Sequence, residues 1–215
     1  MKTSAGAETR ARLIDAATRA FAEHGVENAS LLDIARQTGQ RNRGAVHYHF
    51  GSRQGLIVAV LEQFASELSA RQTEMVQAVE RAEGDDLAPV LETIIRPVTE
   101  IAALGWRGRC YILVVAEVVE MDPDTLDRDI ATALFSTGGV TGFGLMRERM
   151  PQVAEDLMTE RISLAASFML RAVADRARTM ERDAGRRPQL AEERFITNLV
   201  AMTAGMLSAP VRDIP

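Results

Sequence analysis

The sequence has few of the residues that stabilise secreted, β-rich or membrane proteins. Its one cysteine, Cys110, excludes a disulfide within one chain and a cysteine-rich zinc site. Aromatic residues make up 5% of the chain and period-two alternation does not persist, so strands are not expected. The longest apolar stretches, 111–119 and 199–207, are too short to span a bilayer, and no signal-peptide core follows Met1. We therefore expect an all-α, cytoplasmic protein.

The two parts of the chain carry net charges of opposite sign. The formal net charge is −5. Residues 1–60 carry eight Lys or Arg against five Asp or Glu, a balance of +3, whereas residues 61–215 carry seventeen against twenty-five, a balance of −8. All three histidines also lie in the first part of the chain. This distribution fits a DNA-binding module on an acidic body, although chance clustering would also explain it.

Three helices are predicted at the N-terminus. The first covers about 7–22, and the second begins after Ser30, whose side chain can cap the backbone amides of its first turn. Gly39 ends the second helix, and a polar turn separates it from a third helix over 44–50. Two short helices joined by a tight glycine-containing turn are the elements of a helix-turn-helix, in which the third helix enters the major groove of DNA.

Three features of this region form a recognisable pattern: Asp33-Ile34-Ala35, then Gly39, then the run GAVHYHFGSRQGL from Gly44 to Leu56. This pattern resembles the signature of the tetracycline-repressor (TetR) family. Two features depart from the family pattern: His47 stands where tyrosine is most common, and the turn between Gly39 and Gly44 is about one residue longer than usual. The resemblance implies a helix-turn-helix head followed by a divergent helical domain.

The resemblance also implies which residues contact DNA, and their chemistry agrees with it. Base edges are expected to be read by Arg41, Asn42 and Arg43, because arginine pairs with guanine and asparagine with adenine. Phosphate contacts are expected from Ser30, His47, Tyr48, His49 and Arg53. Arg53 replaces the common lysine, which keeps the charge and adds donors. His49 could instead be only a packed or capping residue.

The rest of the chain is expected to form a helical body. We predict a DNA-binding domain over 1–52 and a ligand-sensing and dimerisation domain over 53–215. Ser52 is expected to cap a helix that runs from Arg53 to about Ala82. Later helices are predicted near 87–103, 106–121, 124–137, 143–150, 155–184 and 189–209.

The last two predicted helices, 155–184 and 189–209, favour a homodimer. The segment 162–174 is apolar almost all round, which indicates that the helix is covered on two sides. The family resemblance places this helix pair in a four-helix bundle between two protomers, and a two-fold dimer would suit a palindromic DNA site. The alternative is that one chain alone buries both helices.

An effector site is expected in the middle of the body. The candidate lining residues are bulky or adaptable: Trp106, Cys110, Tyr111, Phe143, Met146 and Phe168. The alternative interpretation is that they form ordinary core. Three arginines could anchor a carboxylate or could be paired at the surface: Arg107, Arg109 and Arg171. Two acidic pairs are interpreted as a solvated helix end: Glu117 with Glu120, and Asp122 with Asp124.

Together these features predict a DNA-binding transcriptional regulator. It would be a dimeric repressor of a palindromic operator, released by a small apolar effector, and the repressor role is implied by the resemblance. The alternative is a constitutive regulator whose C-terminal domain only dimerises. No nucleophile elbow, phosphate-binding loop or metal-ligand spacing indicates an enzyme, and neither a cofactor nor a metal is expected.

Overall fold

The computed structural model describes residues 5–40, 42, 44–82, 84–122, 124–136, 140–181 and 188–211. No strand occurs within these ranges, and the all-α class is confirmed. The helices are α1 (Ala5–His24), α2 (Leu31–Gln37), α3 (Gly44–Phe50), α4 (Arg53–Leu61), a 3-10 turn (Glu62–Phe64), α5 (Ala65–Arg81), α6 (Leu87–Ala103), α7 (Trp106–Val119), α8 (Arg128–Ser136), α9 (Val140–Arg149), α10 (Glu155–Glu181) and α11 (Glu192–Leu207).

The chain divides into two compact units, each made of two separate segments. The first unit comprises Met1–Ser66 and Ala102–Thr137, and the second comprises Glu67–Ile101 and Gly138–Pro215. The first unit therefore holds α1 to α4 together with α7 and α8. The compact unit that contains the helix-turn-helix is larger than the DNA-binding domain predicted over 1–52, and the functional boundary at residue 52 stays a prediction.

The core of the first unit forms where α7 packs along α1 and α8 packs along α4. On α1, the fully buried residues Leu13, Ala17 and Phe21 follow each other at intervals of four and so form one stripe. The stripe meets α7, which is buried on nearly every side from Cys110 to Ala116. Because burial of a large apolar side chain contributes about 1.5–3 kcal/mol, this contact is a main source of stability in the unit.

A single helix over 53–82 was expected, and the structure shows instead two helices separated by the 3-10 turn Glu62–Phe64. The side chain of Gln63 explains the break. Its Nε2 donates to the carbonyl oxygen of Val60 at 3.2 Å and to the hydroxyl of Thr18 on α1 at 2.7 Å. The ring of Phe64 also packs edge-on against Tyr111, with 5.0 Å between the ring centroids. Tertiary contacts therefore fix the interruption.

The later predicted helices agree with the structure to within a few residues, with one exception. The helix predicted over 124–137 begins only at Arg128. The Asp127 carboxylate accepts a hydrogen bond from the backbone amide of Asp129 at 2.9 Å, so Asp127 caps the start of α8. Within the described part of the chain, none of the helices combines the length and apolarity that a transmembrane span requires.

In the second unit, α10 holds both ends of α11. Arg161 donates from Nη1 to the carbonyl oxygen of Leu207 at 3.0 Å, which occupies a carbonyl in the last turn of α11. Arg176 donates from Nη1 to the carbonyl oxygen of Leu190 at 2.9 Å, and its guanidinium lies 4.7 Å from the ring centroid of Phe195. The two helices therefore form one packed pair.

Candidate nucleic-acid interface

The start of α2 is fixed by Ser30, as the sequence predicts. Its hydroxyl oxygen accepts a hydrogen bond from the backbone amide of Asp33 at 3.3 Å, while the Ser30 side chain stays exposed. One turn later, Ile34 and Ala35 are fully buried and anchor α2 in the first unit. The N-cap is confirmed, and the phosphate contact assigned to Ser30 stays a prediction.

The turn between α2 and α3 depends on Gly39 and Asn42. Gly39 adopts a φ of +80°, a conformation that favours glycine, and it ends α2. The Asn42 side-chain oxygen accepts a hydrogen bond from the backbone amide of Gly44 at 2.9 Å and so caps α3. This bond does not use the Asn42 amide donors that would contact a base. Arg41 and Arg43, the other predicted base-reading residues, lie outside the described residues.

The helix α3 has one buried anchor and an exposed polar-aromatic face. Val46 is 1% exposed, whereas His47 is exposed and Tyr48 is 84% exposed. His49 is half-buried, with its ring centroid 5.0 Å from that of Tyr48 and 6.1 Å from that of Phe50. Three predicted contact residues are thus brought together, with His47 and Tyr48 facing outward and His49 at the edge of the face.

The corner between α3 and α4 leaves no room for a side chain at Gly55. A Cβ added there would lie 2.0 Å from the carbonyl oxygen of Phe50. The Ser52 hydroxyl accepts a hydrogen bond from the Gly55 amide at 3.1 Å, which confirms the predicted N-cap of α4. The close backbone approach and the cap together fix the angle at which α3 leaves the unit.

Arg53 contacts the turn between α1 and α2. Its Nη1 donates to the carbonyl oxygen of Val26 at 2.8 Å. The backbone amide of the same Val26 donates to Oε1 of Glu117 on α7 at 2.9 Å. Both polar backbone atoms of Val26 are therefore bound by side chains from other helices. The other N–H groups of the Arg53 guanidinium are not used in this hydrogen bond. The phosphate contact of Arg53 stays a prediction.

The interpretation of Glu117 as part of a solvated helix end is wrong. Its carboxylate is half-buried, and burial raises its pKa, while the hydrogen bond from the Val26 amide lowers it and the charges of Glu27 and Glu120 raise it further. The backbone of Gly25 passes so close that a Cβ there would lie 2.8 Å from Glu117 Oε1. One feature of the sequence indicates a buried position for Glu117, because this residue interrupts the apolar stretch 111–119.

The six predicted ligand-lining residues are divided between the two units. Trp106, Cys110 and Tyr111 lie on α7 in the first unit, whereas the other three lie on α9 and α10 in the second: Phe143, Met146 and Phe168. Cys110 is buried, and Tyr111 is fully buried with its hydroxyl donating to the carbonyl oxygen of Leu61 at 3.2 Å. These two have the surroundings of core residues. Their ligand contact stays a prediction.

Two of the three arginines considered as carboxylate anchors are paired with acids of the same unit. Arg107 binds the Asp15 carboxylate on α1 through two hydrogen bonds, one of them from Nε at 2.8 Å. Arg171 lies 3.5 Å from the carboxylate of Asp175 one turn further along α10. Surface pairing, one of the two roles left open by the sequence, is therefore what the structure shows for these arginines.

Both parts of the chain match known protein families. Residues 13–60 match the model described as bacterial regulatory proteins, tetR family, and residues 92–206 match the model described as tetracyclin repressor-like, C-terminal domain. The second match alone covers more than half of the chain.

Individual relatives are similar over a limited part of the chain. The chain is 46% identical over 55 residues to the HTH-type transcriptional regulator TtgR of Pseudomonas putida, which is 26% of each chain. It is 38% identical over 68 residues to the HTH-type transcriptional repressor AcnR of Corynebacterium glutamicum, covering 32% of this chain and 34% of AcnR. The chain thus spans about a quarter to a third of the length of these curated relatives.

A solved structure is similar over nearly the whole chain. The crystal structure of AibR in complex with isovaleryl coenzyme A and operator DNA aligns with a TM-score of 0.56 at 13% identity, covering 94% of this chain and 100% of AibR. At that identity the similarity shows a shared fold. The capped helix-turn-helix and the helical body define the class of helix-turn-helix transcriptional regulators. Because the family models cover both parts, the chain belongs to the tetR family of bacterial regulatory proteins.

Proposed function

We propose that the chain is a dimeric repressor that binds a palindromic operator on the bacterial chromosome, in the cytoplasm, and releases it when a small apolar effector binds. The outward face of α3 supports this function most directly. Val46 anchors the helix while His47 and the 84% exposed Tyr48 point away from the unit. A short helix with one buried anchor and exposed donors suits insertion into a major groove.

The proposed DNA contacts follow from this face. Tyr48, His47 and His49 carry hydrogen-bonding groups that suit phosphates, as do Ser30 at the start of α2 and the free donors of Arg53. Asn42 precedes α3 and would read a base edge together with Arg41 and Arg43. Residues 1–60 carry a net charge of +3, whereas the rest of the chain is acidic. The N-terminal part is therefore the part that DNA would attract.

Exposed apolar side chains on α10 and α11 support the dimer. Leu164 on α10 is 54% exposed, and Met202 and Met206 on α11 are 50% and 39% exposed. The neighbouring exposed positions Ala201 and Gly205 on α11 are small, which would allow close approach of another helix. A second copy of the chain would cover these side chains and would place two α3 helices on one palindrome.

An effector is supported by AibR, whose structure contains isovaleryl coenzyme A together with operator DNA. In this chain Phe143 and Phe168 are half-buried in the second unit, and Met146 is fully buried. Half-buried aromatic side chains can line an apolar site. A constitutive regulator whose body only dimerises is the alternative.

Selection of bound fragments from a random DNA pool tests the DNA-binding function. We expect a palindromic consensus from the wild-type chain, and a loss of affinity of about tenfold or more for Tyr48→Ala with little change in stability, since Tyr48 is exposed. Arg128→Ala, on the exposed start of α8, is the matched control and should bind normally. Failure to enrich any sequence would refute a sequence-specific regulator.

The effector is tested with the selected DNA. Small apolar compounds are screened for a rise in melting temperature, and those that stabilise the free protein are added to the protein–DNA complex. A ligand that binds the two conformations with different affinity must alter both quantities. If no compound changes both, the constitutive alternative is supported.

A further inference from the structure

A cleft of about 460 Å³ opens in the first unit among α1, the end of α2 and the start of α7. Its lining includes Arg12, Asp15 and Arg19 on α1, Gln37 and Gly39 at the end of α2, and Trp106, the first residue of α7. The volume lies within the range of small-molecule sites. None of its lining residues belongs to the outward face of α3, so the proposed DNA contact does not account for this cleft.

Two positive charges of the cleft, those of Arg12 and Arg19, have no carboxylate partner in the described part of the chain. Asp15 is the acid in its lining, and this carboxylate is bound twice by Arg107. Arg12 and Arg19, seven positions apart, project from the same side of α1. Among the residues that the structure describes, neither is within salt-bridge distance of an acid: Arg12 has a hydrogen bond of 3.5 Å to the Thr9 hydroxyl, and Arg19 lies over an aromatic ring.

Trp106 adds an aromatic surface beside these charges. The guanidinium of Arg19 lies 4.4 Å from the centroid of its ring, and that of Arg107 lies 5.4 Å from it. The indole is half-buried and so presents part of its surface to the cleft. A flat apolar surface next to two cations suits a ligand with an apolar body and one negative charge.

We propose that this cleft binds a small organic carboxylate with an aromatic body. The carboxylate would pair with Arg12 and Arg19, and the body would pack against Trp106. Gln37 and Gly39 lead directly into the turn before α3, so an occupant of the cleft touches the segment that positions α3. By linkage, a ligand here would alter DNA affinity, and DNA would alter the affinity for the ligand by the same factor. Only this last effect depends on the proposed function.

Trp106 is the only tryptophan in the chain, and its fluorescence therefore reports on the cleft directly. The full chain, without DNA, is titrated with phenylacetate and, in parallel, with phenylacetamide, which has the same shape and no charge. We expect a saturable change in emission with phenylacetate, and an affinity for phenylacetamide that is at least about tenfold weaker, as for the loss of a charge-assisted bond. Equal responses to both probes, or no saturable response, would overturn the proposal.

A variant pair separates the cleft from general effects of charge. Arg12→Gln should weaken phenylacetate binding about tenfold, whereas Arg128→Gln on α8, which is also exposed, should leave it unchanged. Both should keep the wild-type melting temperature. If Arg12→Gln leaves phenylacetate binding unchanged but makes DNA binding less salt-dependent, Arg12 contacts phosphates and the proposal is wrong. Because phenylacetate binding is measured without DNA, its outcome is independent of whether the chain is a repressor.

Discussion

The carboxylate of Glu117 on α7 accepts a hydrogen bond at 2.9 Å from the backbone amide of Val26, which lies 91 positions earlier in the chain. On the other side of the same residue, the carbonyl oxygen of Val26 is bound by Arg53 at the start of α4. The turn between α1 and α2 is therefore held from two helices. Its position, and with it that of the helix-turn-helix, depends on Arg53, which belongs to the family signature, and on Glu117, which lies far outside it.

Glu117→Gln should preserve this contact and remove a buried charge. The amide oxygen of glutamine can accept the same hydrogen bond, whereas burial and the charges of Glu27 and Glu120 raise the pKa of Glu117. An acid with a higher pKa in the folded than in the unfolded state loses stability as pH rises through that interval. We expect the variant to melt at an equal or higher temperature than wild type at pH 7, with the difference shrinking toward pH 4.5, the ordinary pKa.

Thermal unfolding followed from pH 4.5 to pH 8 measures this difference. Glu62→Gln, at the exposed end of α4, is the control and should follow the wild-type profile. A Glu117→Gln chain that is less stable than wild type at pH 7, with a deficit that shrinks toward pH 4.5, would show that the ionised carboxylate, and not merely an acceptor, stabilises the turn.

Gly55→Ala should disrupt the corner between α3 and α4. The new Cβ would lie 2.0 Å from the backbone oxygen of Phe50, which cannot move independently of α3. We expect a loss of about 1–3 kcal/mol in unfolding free energy and a loss of specific DNA binding. Gly144→Ala on α9 meets no atom within 4 Å and should stabilise the chain by about 0.5–1 kcal/mol. Chemical denaturation compares the two, and equal effects would contradict the close approach.

Arg53→Ala should change two independent quantities. Loss of its bond to Val26 should lower the unfolding free energy by about 1 kcal/mol. Loss of one phosphate contact should make the dependence of log affinity on log salt concentration shallower by about one unit. Titration of labelled DNA at several salt concentrations, with Arg128→Ala as control, measures the second effect. An unchanged salt dependence would show that Arg53 binds Val26 but contacts no phosphate.

Met202→Glu should prevent dimerisation without unfolding the monomer. Met202 is 50% exposed on α11, so a charge there is solvated in the single chain but would be buried between two copies. Sedimentation at about micromolar concentration should give a monomer mass for the variant and a dimer mass for wild type. Leu104→Glu, 66% exposed in the first unit, is the control. If Met202→Glu remains a dimer, the interface lies elsewhere.

Features that depend on local contacts were predictable from the sequence. Ser30 and Ser52 cap the helices that follow them, and each bond spans three positions. The helix-turn-helix pattern is equally local, because the roles of Gly39 and Val46 can be predicted from the residues next to them in the sequence. The family signature covers the same short region. The local pattern and the signature therefore predict the same exposed face of α3.

Contacts between distant segments were not predictable. The 3-10 turn after α4 depends on a bond between Gln63 and Thr18, 45 positions apart, and no local pattern specifies such a pair. The sequence predicts that Trp106 lines an effector site because the residue is large and aromatic, but it does not identify the arginines of α1 and α7 that lie next to the ring in the structure. Helical periodicity shows that a residue has a buried side, but it does not identify the helix on the other side.

The split make-up of the first unit limits how this protein could be recombined with its relatives. A chimaera joined at residue 52 would pair a foreign α1 with the native α7 and would separate Val26 from the Glu117 that binds it. A transplant that moved α7 and α8 together with the first 66 residues would keep these partners matched. Engineers who exchange DNA-binding segments between such proteins should therefore graft two pieces of chain and not one.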